Sequence, residues 1–317
     1  MARVSPSSPQ RAGAARSRIV WDGSTLRLLV VSLRPEQWTK NLLVFAGVVF
    51  GGRLRDPDAV AAAIAAFGAF CALSSAVYIF NDIADRAADR NHPLKRHRPI
   101  AAGSLTVGTA LAAGFILAAA GLRTAAAVNM QLALAAAGYL ALLAAYSFAL
   151  KHIVIVDVLM IAAGFVIRAI AGAVAVAVPI GHWLLICTTL LALFLALSKR
   201  RHELTLLADG ATDHRRILGE YSPYLLDQMI GVVTSSTLIA YTVYATATDT
   251  AVRLGTGKLG LTIPFVLYGI FRYLYLVHQK RGGGSPTAML LTDWPLLGCV
   301  AMWIGTVIAL LYSPLGQ

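Results

Sequence analysis

Apolar runs long enough to cross a lipid bilayer recur along this chain from end to end, and that recurrence constrains its fold more than any single motif. Nine such runs are expected as membrane-spanning helices, at roughly 36–52, 58–80, 105–121, 125–149, 153–176, 181–199, 223–247, 259–279 and 293–313. Each is close to the ~20 residues that a helix needs to cross ~30 Å of hydrocarbon. Hydrophobic residues make up 58% of the 317 positions, charged residues 13%, and mean hydropathy is +0.70. The expected class is therefore all-α, a polytopic integral membrane bundle. No long polar stretch separates the runs, so one integral domain is expected over 25–317, preceded by a disordered basic tail over 1–24 that is rich in Ser, Ala, Gly and Arg. The short apolar run Leu26–Leu33 is followed by Arg34 and Pro35, not by small residues, which argues against a cleaved signal peptide.

Charge sets the orientation. Formal net charge is +12, with a pI near 10.0. The basic residues fall between apolar runs, which suits an anionic membrane face or phosphorylated substrates better than nucleic acid. Thirteen Lys and Arg lie in the loops on the tail's side, including Arg86, Arg90, Lys95, Arg96, Arg98, Lys151, Lys199, Arg200 and Arg201, against five in the opposite loops, Arg123 among them. The positive-inside rule then places the tail and the basic loops in the cytoplasm and the protein in the inner (plasma) membrane. Cys71, Cys187 and Cys299 each stand alone in an apolar run, without ligand or disulfide spacing.

Against this low charge, the stretch NDIADRAADRNHPLKRHRPIAAG, from Asn81 to Gly103, crowds three aspartates and five Lys or Arg together. On one continuing helix Asn81, Asp82, Asp85 and Asp89 point to one side. Three carboxylates on one face repel unless a divalent cation bridges them, and hard oxygen donors suit Mg²⁺. A solvated helix end, its acids offset by Arg86 and Arg90, is the plainer alternative. Lys95, Arg96 and Arg98 follow directly, a pairing that fits a metal-bound diphosphate whose other oxygens are taken by bases.

The NDxxDxxxD pattern after the second apolar run, with nine expected spans, resembles the UbiA superfamily of intramembrane prenyltransferases. The same stretch, with RPEQWTKNLLVFAGVVFGG from Arg34, YSFALKH from Tyr146 and LSKRRHEL from Leu197, is similar to the superfamily's decaprenyl-phosphate phosphoribosyltransferase branch. The resemblance implies a Mg²⁺ site at Asn81, Asp82, Asp85 and Asp89, with Asp82, Asp85 and Lys151 at the reacting centre. It also implies phosphate binding by Lys40 and Asn41, although a Lys flanking a span is equally read as an interfacial anchor.

Other residues join the expected site. Tyr146 and Lys151 flank a short turn, but stand five apart where the aromatic prenyltransferases carry Tyr, three residues, then Lys-Arg. Asp157 and Arg168 lie about three helical turns apart in an apolar run, and ionisable residues in a membrane mark function or pair with one another. After the sixth run the family's second aspartate-rich motif is replaced by SKRRHELTLLADGATDHRR, which leaves Glu203 as the first choice for a second metal ligand, preceded by Lys199 and Arg200, with Asp213 a weaker one and Asp209 expected to be solvated. The histidines show no zinc spacing, and RGGGSP from Arg281 reads as a connector.

Both superfamily chemistries break a C–O bond to a departing diphosphate. The expected reaction moves 5-phosphoribose from phosphoribosyl pyrophosphate to a polyprenyl phosphate, a choice supported by the number of bases available for three separate phosphate groups. An aromatic prenyltransferase is the runner-up. A secondary transporter ranks behind, because no internal repeat is evident and the polar clusters sit at one face. Homo-oligomerisation is left open.

Overall fold

The computed structural model describes residues 23–93, 95–208, 219–280 and 286–313, and these are almost wholly helical. In chain order they form α1 (Gly23–Leu33), a 3₁₀ helix (Pro35–Phe45), α2 (Ala46–Phe50), α3 (Pro57–Ala84), α4 (Arg86–Asn91), α5 (Pro99–Ala102), α6 (Val107–Val128), α7 (Met130–Phe148), α8 (Val156–Ala175) and α9 (His182–Ala208). The second part contains α10 (Pro223–Thr246), α11 (Thr248–Leu254), α12 (Ile263–Gln279), α13 (Pro286–Thr292) and α14 (Trp294–Tyr312). The expected tail (up to residue 22), Asp209, Asp213 and residues 281–285 of the RGGGSP connector lie outside the described residues.

Among the described residues eight helices are long and apolar enough to cross a membrane. The protein is a multi-pass membrane protein. Eight of the nine expected runs coincide with these helices, while the run at 36–52 takes a different form. It is a 3₁₀ helix of 11 residues opened by Pro35 and continued by the five-residue α2. A 3₁₀ helix rises about 2.0 Å per residue against about 1.5 Å in an α-helix, so the combined segment reaches about 30 Å with few residues.

Side-chain caps fix where the long helices begin. Asp56 accepts from the amides of Asp58 and Ala59 ahead of α3, with Pro57 at the first helical position. Thr106 caps α6, Ser222 caps α10 and Asp293 caps α14 in the same manner. These oxygens satisfy amides that have no partner within the helix. Asn129 does so for Leu132 at 2.7 Å, and its cap shortens the connection between α6 and α7 to a single residue. Arg123, expected in a loop, therefore lies within α6.

The packing is closest where the first span segment meets α8. A Cβ at Gly172 would come within 1.9 Å of the Val44 carbonyl oxygen, and one at Gly47 within 2.4 Å of the Gly172 backbone. With little hydrophobic force between helices in lipid, small residues let backbones touch and gain dispersion energy. α3 packs along α6, α8 along α9, and α9 along α10. One apolar core centres on Phe70, Leu73, Leu132 and Tyr139, and a second on Phe194, Leu197, Leu226 and Tyr273.

Candidate active site

The acidic stretch does not continue as one helix. α3 stops at Ala84, Asp85 occupies the turn at φ −87° and ψ 3°, and α4 begins at Arg86. The expectation of a single helical face is corrected accordingly: Asp82 and Asp89 are buried, while the Asp85 side chain is half exposed. The kink follows from where α4 is tied. Arg86 Nε donates to the Ile100 carbonyl and Arg90 Nε to that of Ala101, so α4 folds back on α5 instead of extending α3.

Arginines from two directions meet the buried acids. Arg34 donates through Nη2 to Asp82 Oδ1 at 2.6 Å, from a backbone held at φ 54° beside the Tyr78 ring. Arg98 Nη1 lies between Asp82 Oδ1 at 3.1 Å and Asp89 Oδ2 at 2.6 Å. Two carboxylates from two helices thus already converge on one cationic atom. Asn81 accepts from Ser147 Oγ at 2.9 Å, which ties the end of α3 to the end of α7, and Lys151 stands 3.9 Å from Asp85. Among the described residues no three His, Cys, Asp or Glu side chains form a ready metal cage. The donor chemistry nonetheless suits a hard cation: all the candidates are oxygens, and Asp82 and Asp89 already share a positive charge.

A second cluster joins α8, α9 and the start of α10. Arg200 donates through Nε to Asp157 Oδ2 at 2.8 Å and through Nη1 to Glu203 Oε2 at 2.6 Å. Tyr221 donates to Asp157 Oδ1 at 2.8 Å. Asp157 is fully enclosed and both its oxygens are engaged by these neighbours. Glu203 is partly exposed and has Lys199 3.9 Å from its other oxygen. Tyr146 lies near Arg200, and Lys40 lies near Lys199, Arg168 and Arg34.

Arg168 does not pair with Asp157. Its guanidinium donates to Asn41 Oδ1 at 2.7 Å, Tyr139 Oη at 2.6 Å and the Gly164 carbonyl at 2.8 Å, and it faces the Tyr139 and Phe165 rings. Asn41, fully buried, turns its amide nitrogen to Cys71 and Ser74. Asn41 and Arg168 therefore clasp the first span segment to α3, α7 and α8. Arg96 is exposed and contacts His97, and Lys95 lies in the 3₁₀ turn leading to Arg98.

The UbiA prenyltransferase family model matches residues 41–294. The chain belongs to this family. It is 36% identical over 297 residues to a decaprenyl-phosphate phosphoribosyltransferase of Mycolicibacterium smegmatis, an alignment covering 90% of this chain and 92% of that protein. A protein of the same description from Corynebacterium glutamicum is 32% identical over 289 residues, covering 90% and 86%. The structure of a UbiA homolog from Archaeoglobus fulgidus bound to DMAPP and Mg²⁺ superposes with a TM-score of 0.69 at 19% identity, covering 89% of this chain and 99% of that one, and so shows a common fold. The UbiA-family chain is accordingly a transferase.

Sequence reasoning missed three residues of this site. Arg34 stood in a quoted motif, but nothing in the pattern showed that it would reach Asp82. Tyr139 carries no signal beyond being aromatic in an apolar run. Tyr221 lies 64 residues from the aspartate it contacts, a pairing that no local periodicity encodes.

Proposed function

We propose that this UbiA-family transferase moves 5-phosphoribose from phosphoribosyl pyrophosphate to a polyprenyl phosphate of the decaprenyl class, releasing pyrophosphate, with Mg²⁺ as cofactor. The observation that carries this reading is the meeting of Asp82 and Asp89 on one cationic nitrogen, beside Lys151 and Asp85. The names of the relatives from Mycolicibacterium and Corynebacterium support the phosphoribosyl donor and the lipid phosphate acceptor.

In the reaction, the C1–O bond to pyrophosphate breaks and a C1–O bond to the lipid phosphate forms, through a transition state with positive charge on the ribose. The acceptor phosphate is already ionised, so no side chain has to remove a proton from it. Mg²⁺, when bound, neutralises charge on the departing pyrophosphate as a Lewis acid. Asn81, Asp82, Asp85 and Asp89 are the residues proposed to hold it, with Glu203 proposed for a second ion. Arg98 and Arg34 occupy the buried acids and release them as the diphosphate takes up the arginines in turn. Lys151, Lys40, Lys95, Arg96, Tyr146, Lys199 and Arg200 bind and orient phosphate oxygens, and Asn41, Asp157 and Arg168 hold those groups in place. Preorganised charge of this kind stabilises a leaving anion without reorganisation during the reaction. The basic end of the bundle is proposed to face the cytoplasm across the inner membrane, with one catalytic domain over 25–317.

The test is direct. Purified protein is supplied with Mg²⁺, labelled phosphoribosyl pyrophosphate and a polyprenyl phosphate, and the lipid fraction is counted. A labelled lipid and stoichiometric pyrophosphate are expected. Prenylation of an aromatic acid from a polyprenyl diphosphate, with no labelled lipid, overturns the proposal.

A further inference from the structure

Ile155 precedes α8 at φ 69° and ψ −43°, a conformation that a β-branched residue adopts only under constraint. The constraint is visible. The Ile155 amide donates to Tyr221 Oη at 2.7 Å, and the same hydroxyl donates to Asp157 Oδ1 at 2.8 Å. A phenol that accepts one bond and donates another is fixed in direction. Burial pushes the Tyr221 phenol up to about 12, so it remains a donor throughout the physiological range.

What this hydroxyl fixes is the aspartate, and through it the arginine. With Oδ1 taken by Tyr221, Asp157 has Oδ2 left for Arg200 Nε. Arg200 then places Nη1 on Glu203, and its Nη2 remains enclosed without a hydrogen-bond partner among the described residues. An unpartnered buried N–H of a charged group is unfavourable, which favours a partner that arrives from outside the fold. The network reaches the surface at Glu203, beside Lys199, where such a partner would enter.

We propose that Tyr221 is a positioning residue of the transferase site: its hydroxyl holds Asp157 so that Arg200 keeps one nitrogen for a phosphate oxygen of an organic diphosphate. This deepens the phosphoribosyl reading and rests on it for the identity of the ligand, though not for its chemical class. The contact is made with the bound substrate and not only with the transition state, so its loss falls on KM more than on kcat.

The experiment uses the full chain in nanodiscs with Mg²⁺. It measures pyrophosphate affinity by calorimetry and the dependence of rate on phosphoribosyl pyrophosphate for the wild type, Y221F, I155G and Y221F/I155G. Glycine adopts the positive φ without strain, so I155G removes the need to pin the turn but leaves the Tyr221–Asp157 bond. Y221F is expected to weaken pyrophosphate binding and raise KM by about tenfold each, in line with the loss of one charge-assisted hydrogen bond. I155G is expected to match the wild type, and the double variant to match Y221F. Wild-type affinity in Y221F, or recovery in the double variant, overturns the proposal, because Tyr221 would then serve the turn alone. Should Y221F fail to fold, the double variant against I155G decides the same question. A wild type that binds pyrophosphate but makes no phosphoribosyl lipid refutes the functional reading while the affinity series still decides the role of Tyr221.

Discussion

Two acid–base clusters in this molecule use the same residue types to opposite ends. Around Asp82 and Asp89 the arginines are partly exposed, Arg98 is shared between two carboxylates, and Asp85 looks out toward solvent. Around Asp157 the arginine is 2% exposed, the aspartate is fully enclosed, and each aspartate oxygen has one partner. The first arrangement leaves its arginines open to solvent, from where another cation or an anion can reach them. The second does not, and separating its buried pair leaves an uncompensated charge in a medium of low dielectric constant. One cluster is built to change its partners and the other to hold its shape.

That contrast can be broken at several points. The largest effect is expected from Asp157→Ala, which leaves the buried Arg200 with Glu203 as its remaining carboxylate partner: a loss of about 3–5 kcal/mol in stability, read from unfolding in detergent. An unchanged midpoint would place the Asp157 cluster in the same class as the exchangeable one. Asp85→Asn is expected to abolish measurable turnover, a fall of at least about 10²–10³-fold, while leaving expression and unfolding near those of the wild type. Full activity in this variant removes Asp85 from the metal site. Arg98→Lys keeps a charge but cannot bridge two acids with the same planar group, so a roughly tenfold change in the Mg²⁺ concentration needed for half-maximal rate is expected. Identical Mg²⁺ curves for wild type and variant would show that Arg98 does not compete for the acids. The smallest structural effect is expected from Lys151→Ala, whose 3.9 Å pair with Asp85 is partly exposed and contributes about 0–1 kcal/mol to stability. A large destabilisation would mean that this lysine is structural and not reserved for a ligand.

The contrast also explains which parts of the site were legible in the sequence. The acids at the end of α3 and in α4 announced themselves because carboxylates are rare in an apolar chain and stood at short, regular intervals. Their partners did not. Arg34 lies 48 positions before Asp82, and only the return of the chain past α3 brings the two together. The even face expected of Asp82, Asp85 and Asp89 assumed an unbroken helix, whereas the anchors from Arg86 and Arg90 to the α5 backbone bend it at Asp85. Asp157 and Arg168 stood out as ionisable residues in an apolar helix, and the expected alternative that they pair with one another is corrected by the structure. Asp157 takes Arg200, and Arg168 takes Asn41 and Tyr139. The 3₁₀ form of the first span segment has no signature in hydropathy, which records how apolar a run is and not how tightly it is wound.

The amino-acid sequence by itself determined that this is a helical membrane protein with its bases gathered between particular spans, because a bilayer admits only apolar segments of sufficient length and sorts charge by side. It also determined the family, since the acidic stretch and the basic strings around it are local in the chain. Only the tertiary structure decided which charges are committed to one another and which remain open to a ligand. That division depends on distances between residues dozens of positions apart, and on whether each group ends up surrounded by protein or by water.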